Sequence, residues 1–174
     1  MTSRQAAPAA QEQVHLGHGP IVRAASEHDL NAIVELRLAL LHEHAEHPIY
    51  GRLRADARLR ARRLFAAQLE ASDEVTLLAM HGEMAIGILR CIEGHGMPLL
   101  DPARYAYLAS VYVIPGARRQ GVLRALVETA VAWCRERGLQ EMRLHNAAGN
   151  DVANAAWETL GFQIVEHLRA RSLA

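Results

Sequence analysis

The chain has 174 residues, 51% of them hydrophobic and 22% charged, and its 19 acidic and 19 basic side chains cancel at pH 7. That is enough mass for one globular domain with a real core. The balanced charge excludes a general pull toward nucleic acid or anionic membrane, and no window is long and apolar enough for a membrane span.

Residues 1–19, rich in Ala, Gln and Pro, show no period and read as a tail, pinned by the domain or by a partner subunit. The domain is expected over residues 20–174. Ile21–Ala24 is a short strand, and Ser26 with Asp29 makes a weak capping box. The helix that follows buries Leu30, Ile33, Val34, Leu36 and Leu40 at helical spacing, until "HEHAEHP" ends it at Pro48. Residues 51–70 form a second helix dense in arginine, whose Arg54, Arg58 and Arg62 read as a solvated stripe. "EVTLLAM" and "MAIGILRCI" are strands joined by a hairpin at "HGE", and "EGHGMPLLDPAR" is a loop. "YAYLASVYVI" is a long strand leading into a helix over 119–137, closed by Gly138. "QEMRLH" is a strand, "NDVANAAWETLG" a helix, and "FQIVEHL" a final strand. The order β-α-α-β-β-β-α-β-α-β defines one α/β domain.

Two sequence features bear on chemistry directly. All the basic residues other than histidine are arginine, so no lysine is available for a Schiff base. Cys91 and Cys134 are lone thiols on apolar elements and read as buried packing residues in a reducing compartment. With no apolar run at the N-terminus, the expected location is the cytoplasm.

The stretch "VIPGARRQGVLRAL" is the candidate binding element. A helix N-terminus offers unpaired N–H groups and the positive end of the dipole, so it attracts anions. Gly121 lets a phosphate approach closely, and Arg118 and Arg119 add charged donors. No Walker or dinucleotide glycine motif accompanies it.

At "RRQGVL" the chain resembles the GNAT superfamily, the GCN5-related N-acetyltransferases, whose signature there is R/Q-x-x-G-x-G/A. "NDVANAAWETLGF" falls in register with the family's N-x-x-A and G-F, and "IVRAASEHDLNAIVEL" and Gly87 match its opening and third strand. The resemblance covers roughly residues 20–168. It implies a GNAT-type domain with a mixed, mostly antiparallel sheet flanked by helices, and acetyl-CoA as acyl donor. Pantetheine would bond to the backbone of Val111 and Val113 where the fourth and fifth strands part. The pyrophosphate would sit on Arg118, Arg119, Gln120, Gly121, Val122 and Leu123, and Asn150 would contact the cofactor arm. The implied partners are acetyl-CoA and a small amine acceptor, with no nucleic acid or membrane, and a homodimer is compatible with the family.

Several positions depart from the pattern. Leu123 stands where Gly or Ala is usual. Trp157 replaces the tyrosine that protonates the leaving thiolate, and an indole N–H donates but does not release its proton near neutral pH. Ala109 replaces the glutamate base. An amine must still shed a proton, and a base is worth about 10²–10⁴-fold. Glu43 and His44, in "HEHAEH", and Tyr107 are the candidate catalytic groups, with Ser110 and His145 as rivals. H-E-x-x-H is absent because Glu46 stands in the second histidine's place. The leading expectation is N-acetylation by direct attack in a ternary complex. A GNAT-fold module that binds acyl-CoA without turnover, or a peptide or protein N-acetyltransferase, are the alternatives.

Overall fold

A computed structural model of the protein describes residues 19–171 together with Val14, Leu16, Gly17 and Leu173. Most of the expected tail therefore lies outside the described residues. The chain divides into two compact units, Met1–Leu144 and His145–Ala174.

The first unit holds β1 (Ile21–Ala24), α1 (Leu30–Glu43), α2 (Ala57–Leu69), β2 (Glu74–His81), β3 (Met84–His95), β4 (Arg104–Val113), α3 (Val122–Glu136) and β5 (Met142–Leu144). Its five strands lie in sequence order. They are antiparallel except for the last pair, where α3 crosses over and β5 runs parallel to β4. This is the expected mixed, mostly antiparallel sheet. Gly82, at φ 58, turns the β2–β3 hairpin.

Register assigns the faces of the sheet. Leu78, Ile88 and Tyr112 lie in one row and belong to the core formed with Ile33, Val34, Leu36, Leu38 and Phe65 of α1 and α2. The opposite face carries Gly87 and Cys91, which meet α3. A Cβ on Gly87 would come within 3.1–3.2 Å of Val122, Leu126 and the Tyr112 carbonyl, so glycine lets the helix start close to the sheet. Cys91 and Cys134 are both buried, with their sulfurs 3.7 Å apart. The neighbouring thiol, together with burial in apolar surroundings, pushes Cys91 up from its usual range.

Local signals act as their chemistry requires. The Asp29 carboxylate accepts from the Ser26 N–H at 2.8 Å and pairs with Arg23 at 2.7 Å, fixing the entry to α1. The Arg23 hydrogen bond, more than any other contact, holds that carboxyl well below the usual carboxylate range. The arginine stripe of α2 is exposed, as expected, and clips α2 to α1 through Arg58–Glu35 and Arg62–Asn31. Surface pairs of this kind contribute about 0–1 kcal/mol each.

Three elements differ from expectation. Helix α2, expected from Gly51, begins at Ala57, so Arg54 precedes it. Strand β3 continues through "EGH", which the sequence assigns to a loop. Gly94 stays in the ladder because it leaves room for Tyr105, whose ring would lie 2.9 Å from a Cβ there. In the second unit, α4 (Asp151–Thr159) forms as expected, capped by Asn150 and followed by Gly161 at φ 87. The final strand expected over 162–168 does not form. Its apolar residues Ile164 and Val165 stay outside the core. They are 66% and 90% exposed, and among the described residues no strand pairs with them.

Candidate active site

The site begins with an irregularity in β4. Ile88 pairs with Tyr112 and Arg90 with Ala109, so β4 has one residue more than β3 across this interval. The extra residue makes a bulge at Ser110–Val111, and Ser110 takes φ 54, an uncommon conformation for a residue other than glycine. The face of β4 switches with it, since Tyr107 and Ala109 face α1 before the bulge and Tyr112 after it. On the other edge, β5 pairs with β4 only over Ala106–Leu108. From Ala109 onward, that edge of β4 is open.

Ile114 N–H donates to Ile86 O on the β3 side, so the polar groups of Val113 point to the open side. Alternation gives Val111 the same direction. The Val113 carbonyl, however, accepts from Arg118 Nε at 2.9 Å, leaving Val113 with its N–H alone for a ligand.

The strand then runs through a single 3₁₀ turn, Pro115–Ala117, into α3. Arg119 at φ 62 and Gly121 at φ 80 are both left-handed. The first helical bond comes from Ala125 N to Gly121 O, which leaves the preceding amides outside the helical ladder. A Cβ on Gly121 would meet nothing within 4 Å. Val122 is buried against the sheet, Leu123 is half-buried, and Arg119 is exposed. Backbone amides outside the helical ladder, at a glycine whose added Cβ would meet no described atom within 4 Å, are the geometry an anion cradle requires.

Three side chains assigned to the cofactor from sequence have partners within the protein, Gln120, Arg118 and Asn150. Gln120 Nε2 donates to Val14 O at 2.6 Å and its Oε1 accepts from Leu16 N at 3.2 Å. Arg118 Nη2 donates to both oxygens of Glu43 at 2.7 and 2.8 Å. Tyr112 Oη donates to Glu43 Oε1 at 2.9 Å, beneath the Arg118 guanidinium. Glu43 thus ties the end of α1 to β4 and the cradle, and a proton accepted there would displace an ion pair. Burial, then the bond to Glu43, pushes the Tyr112 hydroxyl up to about 12. Tyr112 should give a late step, toward about pH 12, in an absorbance titration at alkaline pH. The sign follows from a pKa raised in the fold, so its contribution to stability is full below about pH 10. It is lost as pH rises toward about 12. Tyr112→Phe should remove that late step, and an unchanged titration would refute the assignment.

The "HEHAEH" junction closes on itself. His47 Nδ1 accepts from the N–H groups of Ile49 and Tyr50, both at 3.2 Å, and its ring stacks on Tyr50 at 4.5 Å. His44, the residue after α1, lies 6.2 Å from His47, ring to ring. Among the described residues, no three His, Cys, Asp or Glu side chains come together to hold a metal. In the second unit, Asn150 Oδ1 caps α4 by accepting from Ala153 N at 3.0 Å, and Trp157 packs edge-on against Phe162 at 5.2 Å. Sequence reasoning missed the β4 bulge, Tyr112 and the Glu43–Arg118 pair. A serine inside a strand of β-formers is a faint signal for the bulge, and nothing local marks the pair.

Comparison with known proteins follows the same outline. The family model described as "Acetyltransferase (GNAT) family" matches residues 37–162. Among curated relatives, an aminoglycoside N(6')-acetyltransferase type 1 from Klebsiella aerogenes is 41% identical over 64 residues, 37% of this chain and 42% of that protein. A chloroplastic GCN5-related N-acetyltransferase 6 from Arabidopsis thaliana is 36% identical over 70 residues, 40% of this chain and 24% of that protein. The chain thus matches less than half the length of either. Among solved structures, a predicted acetyltransferase with acetyl-CoA from Clostridium acetobutylicum has TM-score 0.72 at 18% identity, covering 88% of this chain and 96% of that one. An aminoglycoside antibiotic 6'-N-acetyltransferase from Acinetobacter haemolyticus has TM-score 0.71 at 24% identity, covering 88% and 98%. At these identities the structures establish a shared fold. No helix among the described residues is long and apolar enough to cross a membrane.

Proposed function

The chain belongs to the GNAT family of acetyltransferases, and on that basis we propose that it moves an acetyl group from acetyl-CoA to the amine of a small molecule, by direct attack in a ternary complex. The observation that carries this reading is the succession of three features along β4 and the turn that leads from it into α3. The bulge at Ser110–Val111, the end of β5 pairing at Leu108, and the amide cradle at Gly121 follow one another over a dozen residues.

In this reading the pyrophosphate rests on the amides of Arg119–Leu123, with exposed Arg119 as its charged donor. Pantetheine runs along the open edge of β4, bonding the polar groups of Val111 and the N–H of Val113. The thioester carbonyl lies at the bulge, where an amide turned out of the ladder meets the oxyanion as it forms. Arg118 and Glu43 are positioning residues in this scheme. They brace the cradle against α1 and leave His44 as the proton acceptor among the junction's side chains. The thiolate leaves unprotonated, as its ordinary pKa of about 8.5 permits.

The test joins a thermal shift with acetyl-CoA to a thiol-release assay over an amine panel. Stabilisation together with amine-dependent thiol release is the expected result. Stabilisation without release on any amine would favour a binding module, and the absence of stabilisation would overturn the cradle.

A further inference from the structure

Arg37 stands on the buried stripe of α1. Ile33, Arg37, Leu40 and His44 follow at helical spacing, and Ile33 and Leu40 belong to the core beneath the helix. An arginine thus occupies a position where an apolar side chain is expected. It is half-buried, and its electrostatic neighbours are Arg90 of β3 and Tyr50 of the turn after α1. Burial first, and the charge of Arg90 second, push its pKa down, so its surroundings oppose the cation. Among the described residues it has neither a hydrogen bond nor an ion pair.

Arg90 does not share this condition. Its Nε donates to Glu74 Oε2 at 2.8 Å, and the Gln68 amide oxygen, in the orientation that satisfies the amide, accepts from Nη1 and Nη2 at 3.1 and 3.3 Å. Glu74 is therefore engaged by Arg90, and among the described residues no carboxylate pairs with Arg37. Buried Glu74 Oε1 and Thr76 Oγ1 also lack partners among the described residues. The pairing register puts Thr76, Arg90 and Ala109 in one row across β2, β3 and β4, on the face that α1 covers. Glu74, Ile92 and Tyr107 form the next row. Ala109, small and half-buried, is the last residue before the bulge. An unpaired cation and two orphaned polar atoms therefore share the α1 face of the sheet, beside the point where β4 opens. An uncompensated charge in such a place is costly unless a ligand pairs with it.

We infer that Arg37 anchors a carboxylate on the acceptor, so that the acceptor is a small amine carrying an anionic group. A planar guanidinium matches a carboxylate with two parallel hydrogen bonds, and the partner removes the cost of the buried charge. This narrows the acetyl-transfer reading and rests on it, and it points away from the polycationic acceptors that aminoglycosides represent.

The test compares γ-aminobutyrate, which carries the carboxylate, with its neutral amide, whose amine is similar in basicity. Each is measured by thiol release with acetyl-CoA and by calorimetric titration in the presence of CoA, in wild type and in Arg37→Met. The carboxylate should be preferred by about tenfold or more, as expected for a charge-assisted bond. Arg37→Met should erase that preference through KM while raising Tm, because it removes an unpaired charge. A merely structural arginine would lower Tm instead. Equal use of both amines, a preference that survives Arg37→Met, or a fall in Tm would overturn the anchor. So would acetate alone binding as tightly as the amino acid, which would mark an anion site unconnected with the acceptor. Binding of the carboxylate that depends on Arg37, without turnover of any amine, would uphold the anchor and sink acetyl transfer. Turnover without carboxylate preference would sink the anchor alone, and neither binding nor turnover of either amine would sink it as well.

Discussion

Gly121→Val should weaken acetyl-CoA binding by about a hundredfold or more while leaving a folded protein. Gly121 sits at φ 80, and a Cβ there would have no atom within 4 Å. A Cβ at this position meets no neighbour among the described residues, and its cost to folding is chiefly the left-handed backbone, about 1–2 kcal/mol and at the upper end for β-branched valine. For a chain of this size that lowers Tm by roughly 2–8 °C. The space it fills is the space in front of the amides at the start of α3. Hydrogen bonds to a charged group are worth about 1.5–3 kcal/mol each, so blocking two costs a hundredfold or more in affinity. Calorimetric titration with CoA measures that loss, and thermal denaturation of the free protein measures the strain separately. Gly121→Ala should share the strain and lose less affinity. If valine lowered Tm but left the CoA affinity intact, the pyrophosphate would have to sit elsewhere.

Ser110→Val is expected to lower kcat about 10²–10³-fold, the cost of one oxyanion donor, with a smaller change in CoA affinity. Ser110 holds φ 54, which serine tolerates at a cost and a β-branched residue resists strongly. Valine favours the extended conformation and drives the extra residue back into the ladder. Because the side-chain period of a strand is two, closing the bulge turns Val111, Tyr112 and Val113 toward the wrong faces. Tyr112 then loses the core row with Leu78 and Ile88 as well as its bond to Glu43. Ser110→Gly keeps the left-handed conformation without strain and should retain both activity and stability. Steady-state kinetics beside CoA titration separates the two roles. An active Ser110→Val variant would show that the bulge has no part in the chemistry.

Much of this architecture is legible in the residues themselves. Helix and strand identity follow from period and punctuation, as with Ile21–Ala24, the Gly82 turn and Gly138 after α3. The cradle is legible too, because a positive φ before a helix leaves its mark as Gly121. The segment 162–168 departs from expectation because β-propensity describes a residue's fit to a sheet and says nothing of whether a partner strand arrives. The side chains of Gln120 and Arg118 are engaged within the protein, which the sequence does not reveal, for a related reason. Their chemistry suits phosphate, but the backbone of Val14 and Leu16 and the carboxylate of Glu43 reach them first.

Family and the order of elements through α4 were written in the chain, as was the glycine before α3 that marks the candidate anion site, since each depends on local motifs along it. Long-range pairing was settled by folding alone. Glu43 meets Arg118 across 75 positions, Cys91 meets Cys134 across 43, and the β4 bulge exists only as a mismatch with β3. Arg37 is the sharpest case, because in the chain it is one arginine among many. Only the packing of α1 on the sheet leaves it half-buried beside Arg90 and, among the described residues, without a counter-charge, because burial and pairing belong to the folded environment and not to the residue.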